Sequence, residues 1–240
     1  MKLEAKLEFN ITTALIIAGG EMNSRLAVDK STIRNRSGHL IIPASTIKGR
    51  LRDECQRILL SLNHEIFICK PPVAENMCPQ PFINGKTEIE CCSICQLFGS
   101  PWEPSPLYFS DMVFTDPDTI KRVESTTVKT RVAINRHTRI ARDKSLHYLE
   151  TSPQGYSSTF KSKTYTIKGE VPDESKAALL FLGIQSLFNI GGSKSVGLGW
   201  INGEKLVKFI LYLPDNTELD FLKLSEEIKV EEWLERFHFP

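Results

Sequence analysis

Between residues 3 and 11 the chain alternates strictly, with Leu3, Ala5, Leu7, Phe9 and Ile11 set against Glu4, Lys6, Glu8 and Asn10. A period of two over that length specifies a strand with one buried face, and Gly19-Gly20 closes the segment. Residues 21 to 42 read as a polar loop that ends on the apolar approach Leu40-Ile41-Ile42. Pro43 followed by Ser45 or Thr46 then starts a helix. Its apolar stripe is Ile47, Leu51, Cys55, Ile58, Leu59 and Leu62, with Lys48, Arg50, Arg52 and Arg57 outside it.

Further on, Leu107 to Phe114 and Ser158 to Val171 read as strands, and Asp173 caps a second helix running to Asn189. A Gly-rich stretch at 191–199 leads into strand sequence from Trp200 to Leu213 and an acidic, helix-like tail over 214–240. This order is a split βαβ pattern. It predicts an α+β fold, a ferredoxin-like antiparallel sheet with helices on one face. Nothing in the composition calls for a second domain, so residues 1–240 are expected to form one, interrupted by insertions at about 66–106 and 121–157.

The formal net charge is only +1, but it is unevenly spread. Between Lys121 and Lys144 there are eight basic residues against Glu124 and Asp143, whereas eight acidic residues beyond Pro214 face only Lys223, Lys229 and Arg236. That asymmetry suggests a polyanion site on one side, although a solvated basic loop would look the same. No run of eighteen apolar residues exists to cross a membrane, and MKLEAKLEFN lacks the apolar centre of a signal peptide. The expected location is the cytoplasm, where thiols stay reduced. Five of the six cysteines lie within residues 69–95. Cys69, Cys78, Cys92 and Cys95 could close a tetrahedral zinc site and order an insertion too irregular to hold itself, with Cys91 an alternative to Cys92 and His64 to Cys69. Unliganded thiols are the competing reading.

Two further segments carry motif character. Ile41-Ile42-Pro43-Ala44-Ser45-Thr46-Ile47-Lys48-Gly49-Arg50 places hydroxyls and amides at a helix start, an arrangement that suits a phosphate as well as an ordinary cap. The stretch 191–199 lacks the Gly-Lys-Ser/Thr ending of a P-loop, so nucleotide hydrolysis is not indicated. Taken together, these segments resemble the RAMP superfamily of CRISPR proteins, and most closely the backbone subunits of type III effector complexes. Gly19-Gly20, Asp29, Arg34-Asn35, Gly38, Leu40 to Pro43 and Cys92-x-x-Cys95-x-Leu97-Phe98-Gly99 match that pattern, while Val132 to Arg139 matches loosely, with Asn135 where Asp is usual.

The resemblance implies a modified RRM whose copies stack along a CRISPR guide RNA beside other subunits of the complex, with complementary target RNA opposite. It implies guide contacts from Ser45, Lys48 and Arg52 and from Gly191, Gly192, Lys194, Gly197 and Gly199. The 121–157 insertion becomes a thumb-like hairpin: Arg136 and Arg139 touch backbone, and Ile134 or Ile140 wedges between bases. Asp29 becomes the catalytic candidate, supporting metal-dependent target cleavage with Mg²⁺ or Mn²⁺. The alternatives are a non-catalytic RNA-binding scaffold, or a guide-precursor endoribonuclease acting through His39 or His137.

Overall fold

The computed structural model describes residues 1–19, 28–62, 66–71, 73, 76–78, 91–114, 126–152 and 158–227. The alternating segment forms β1 (Lys2–Ile11), with all five of its odd-numbered apolar side chains fully buried. β1 is the spine of a nine-stranded sheet. Its first half pairs antiparallel with β10 (Leu206–Tyr212) on one edge and β8 (Ile167–Glu170) on the other. Its second half pairs with β9 (Ile201–Asn202) and β7 (Ser158–Lys161). β11 (Glu218–Asp220) extends the sheet beyond β10, while β4 (Met112–Phe114) and β2 (Ile41–Ile42) extend it beyond β7. β3 (Leu107–Phe109) pairs with β8. The α+β reading with an antiparallel sheet therefore holds.

Helix α1 (Ala44–Leu62) buries Ile47, Leu51, Cys55 and Leu59, four members of the stripe read from the sequence. It packs on α3 (Glu174–Gln185) so closely that a Cβ at Gly183 would sit 2.6 Å from Cys55 Sγ. Burial pushes the Cys55 thiol well above its ordinary range, so it behaves as an apolar core residue. Asp173 caps α3 by accepting from the Lys176 amide at 2.9 Å and from the Ser175 hydroxyl. Asp173→Ala should cost about 1 kcal/mol, read as a lowered urea midpoint with an unchanged slope.

Two single-strand expectations are corrected. Residues 107–114 form two strands, because β3 pairs with β8 whereas β4 pairs with β7 and β2. The intervening Asp111 accepts the Ala44 amide at 2.8 Å and so caps α1. Residues 158–171 likewise split into β7 and β8, around Thr166. Its hydroxyl accepts the Leu7 amide at 3.0 Å, where the β1–β10 register shifts. The second helix stops at Gln185 rather than Asn189, and the tail contributes β11 and α4 (Phe221–Glu227). Residues 228–240 lie outside the described residues.

Within the cysteine-rich segment a short helix, α2 (Ser93–Phe98), buries Ile94, Cys95, Leu97 and Phe98. The basic segment holds a two-stranded hairpin, β5 (Thr127–Ile134) with β6 (Ala141–Thr151), separate from the main sheet. Ala14, Ile16, Leu149 and Leu198 form a satellite core that seats the hairpin base on residues 14–16 and on the Gly-rich segment.

Candidate nucleic-acid interface and cysteine centre

The Gly-rich segment is bound to the chain just beyond β1. The Gly192 amide donates to Ile16 O and the Gly199 amide to Ala14 O, at 2.8 and 2.9 Å. Gly199 has φ +72° and a Cβ there would lie 1.9 Å from Ile190 O, so glycine is required. The seated loop places Gly191, Gly192 and Lys194 across a groove of about 380 Å³ from Ser45, Thr46, Gly49 and Arg50 of α1. The two motifs read from the sequence thus meet. Gly197 and Gly199 shape the loop but do not line the groove. Arg50 is held in place by Asn189 O and Oδ1 and by Asp53 and Glu54.

A second recess of about 310 Å³ shares Ala18 and Gly192 with this groove and is lined by Asp29, Lys30, Arg131, His147 and Ser193. Asp29 lies against β6: its amide donates to Tyr148 O at 3.0 Å, and the Tyr148 amide donates to Asp29 Oδ2 at 2.7 Å. The carboxylate is 45% exposed, with His147 Nδ1 3.9 Å from Oδ2. Arg131 Nη1 donates to Ser193 Oγ at 2.7 Å, tying the hairpin to the Gly-rich loop. His147 and Lys30 escaped the sequence reading, and Arg131 was visible only as one member of a basic run. Hairpin register alone sets Arg131 opposite His147.

Arg136 and Arg139 sit at the hairpin tip, in the turn between the end of β5 at Ile134 and the start of β6 at Ala141, five and eight residues beyond Arg131. Asn135 organises that turn, its Oδ1 accepting from the His137 and Thr138 amides. Ile134 and Ile140 are both exposed there. His39 and His137 stand outside the Asp29 recess.

Four thiols converge elsewhere. The sulfurs of Cys69, Cys78, Cys92 and Cys95 all lie within 4.8 Å of one another, and all four residues are buried. Cys69 Sγ is 3.3 Å from Cys95 Sγ and 3.9 Å from Cys92 Sγ. Sulfurs around a tetrahedral zinc stand about 3.8 Å apart, so the set fits a four-thiolate metal. A hydrogen bond from Cys95 draws the Cys92 thiol well below the ordinary thiol range, while burial pushes Cys78 above it. Cys91 is not part of the cluster, since its thiol donates to Glu103 Oε2 at 3.3 Å. His64, the other alternative, lies outside the described residues.

Arg52 and Lys48 belong to this neighbourhood. Arg52 donates to Gly99 O at 2.8 Å and to Cys95 Sγ at 3.1 Å. Lys48 shares a recess of about 660 Å³ with Arg52, Cys69, Cys78 and Cys95, where burial and then the Arg52 charge depress its pKa. On α1, residues 45, 48, 49 and 52 share one broad face, but Ser45 and Gly49 line its flank toward the Gly-rich loop while Lys48 and Arg52 line its flank toward the cysteines. The structure therefore groups Ser45 with the Gly-rich loop, and Lys48 and Arg52 with the cysteines.

An antiparallel α+β sheet carrying a Gly-rich loop against a helix start, with a basic hairpin beside it, has the make-up of an RRM-like RNA-binding protein. The RAMP superfamily model matches residues 8–202, and the chain belongs to that superfamily of CRISPR-associated RNA-binding proteins. A comparison with curated proteins returns no match. Among the described residues no helix is long and apolar enough to cross a membrane.

Proposed function

We propose that this chain is a backbone subunit of a cytoplasmic type III CRISPR complex, gripping guide RNA and cleaving the complementary target through Asp29. The observation that carries the reading is the continuity of two recesses through Ala18 and Gly192, which joins the α1–Gly-rich groove to the Asp29 pocket. A strand held against Ser45, Gly191, Gly192 and Lys194 leads its partner strand toward Asp29, with Arg131 and Lys30 supplying positive charge. Arg136 and Arg139 at the hairpin tip would meet backbone further along.

In the cleavage step the 2′-hydroxyl next to the scissile phosphate gives up its proton to solvent water, its oxygen bonds to phosphorus, and the P–O5′ bond breaks. The products are a 2′,3′-cyclic phosphate and a 5′-hydroxyl, the departing oxygen taking a proton from solvent. Asp29 orients the attacking group. A Mg²⁺ or Mn²⁺ ion would neutralise developing charge on the phosphate. Such an ion is commonly held by one or two carboxylates plus substrate phosphate, and Asp29 is the carboxylate that lines this recess. In the cysteine centre, Cys69, Cys78, Cys92 and Cys95 would hold a structural zinc.

Salt dependence tests the RNA path. Lys194→Ala and Arg131→Ala should each weaken single-stranded RNA binding at every sequence and shrink the log–log salt slope by about 0.7 for each phosphate no longer neutralised. Unchanged slopes in both would remove the groove from the RNA path. Lys48→Ala is the discriminating arm: a smaller slope there routes the guide past the cysteine recess as well. A second reading, a non-catalytic scaffold, draws support from the hydrogen bond that already engages Asp29 Oδ2.

A further inference from the structure

We propose that Glu150 is the positioning residue that holds Asp29 against the hairpin, an inference that rests on the reading of Asp29 given above. Glu150 is 1% exposed although it lies on β6 of a hairpin whose residues are otherwise mostly open to solvent. A buried carboxylate is costly unless every oxygen is answered. Here both are. Oε2 accepts the Thr32 amide at 3.0 Å, and Oε1 accepts Arg34 Nη2 at 3.1 Å.

The backbone of the same residue closes two further bonds to the same segment. The Glu150 amide donates to Lys30 O at 2.9 Å, and its carbonyl accepts the Thr32 hydroxyl at 2.8 Å. Asp29 is the residue immediately before this fastened stretch. Its own bonds to Tyr148 lie at the exposed edge, where water competes for them. Two hydrogen bonds at an exposed site give little rigidity; the fixed geometry of Asp29 comes from residues 30–34, clamped by a buried charge two positions along β6.

Arg34 carries the clamp onward. Its Nη1 donates to Gly38 O at 2.9 Å, in the turn that leads through Leu40 into β2 and so to the start of α1. One ion pair thereby relates the Asp29 recess to the helix start that lines the neighbouring groove. An apolar residue could fill the space behind the hairpin as well as a carboxylate does. What it could not supply is an oriented acceptor for the Thr32 amide and the Arg34 guanidinium.

The test uses the assembled guide-containing complex with Glu150→Gln, which preserves volume and one acceptor. We expect single-turnover cleavage to fall about 100-fold, the cost typical of roughly 1 Å misplacement, with target affinity unchanged. Amide exchange at residues 29–32 should accelerate. The double variant Asp29→Ala/Glu150→Gln should cut no more slowly than Asp29→Ala alone, because one acts through the other. Undiminished cleavage, unaltered exchange or an additive double variant would overturn the role of Glu150 while leaving Asp29 in place. If the unmutated complex never cuts, the reading of Asp29 falls and this inference with it. Should Glu150→Gln not assemble, Arg34→Met removes the other half of the clamp and is read in the same way.

Discussion

Asp29→Ala in the assembled complex is expected to lower target RNA cleavage by about two to four orders of magnitude, the range set by a positioned proton-transfer or metal-holding group. Guide retention and target affinity should stay near those of the unmutated complex. The substitution removes one hydrogen bond, from the Tyr148 amide to Oδ2, at a half-exposed position. Losing such a bond costs about 1 kcal/mol, and the segment remains fastened through Thr32, Arg34 and Glu150. A fall in cleavage without a fall in binding therefore reports on chemistry rather than on folding. Cleavage by the unmutated complex should require Mg²⁺ or Mn²⁺ and leave a 2′,3′-cyclic phosphate, detectable by its resistance to 3′-end ligation. Equal cutting by the alanine variant would reduce Asp29 to a turn residue.

Changing Cys92 and Cys95 together to serine should abolish metal retention, measured as zinc per chain after exhaustive dialysis: about one for the unmutated protein and none for the variant. These two residues supply half of the four-sulfur set, and both sit at the start of α2. Structural zinc contributes its binding energy directly to folding. Residues 66–106 should consequently become an early site of proteolysis, while β1, paired with β7 to β10, and α1, packed on α3, should persist. Arg52 would lose the sulfur acceptor it reaches at 3.1 Å. Because the thiols must shed protons to bind metal, retention should rise with pH and fail on acidification. Protein made with ample zinc that nevertheless contains none would remove the metal from the account.

Some of this was legible in one dimension because burial imposes a local period. β1 announces itself by strict alternation, α1 by its stripe through Ile47, Leu51, Cys55 and Leu59, and α3 by the Asp173 cap. Each of these signals arises from residues within a few positions of one another, which is the range over which backbone geometry relates side chains. The cysteine set was readable from type and clustering, although Cys91 and Cys92 were indistinguishable until their surroundings separated them.

The remainder depended on partners far away in the chain. Residues 107–114 look continuous, yet their two halves join different strands, and nothing within the segment encodes that choice. Lys48 and Ser45 are three residues apart and share a motif, but α1 sends them to different grooves. Asp29 meets Tyr148, and Thr32 meets Glu150, across 119 and 118 residues. By itself the sequence determined the strand and helix types, the buried faces, the cap and the stock of clustered thiols, because these follow from neighbouring side chains and the backbone's own periods. Only the tertiary structure decided which cations face thiols, which face the groove, and which buried acid pairs with Arg34, because the pairing of distant strands creates those neighbours.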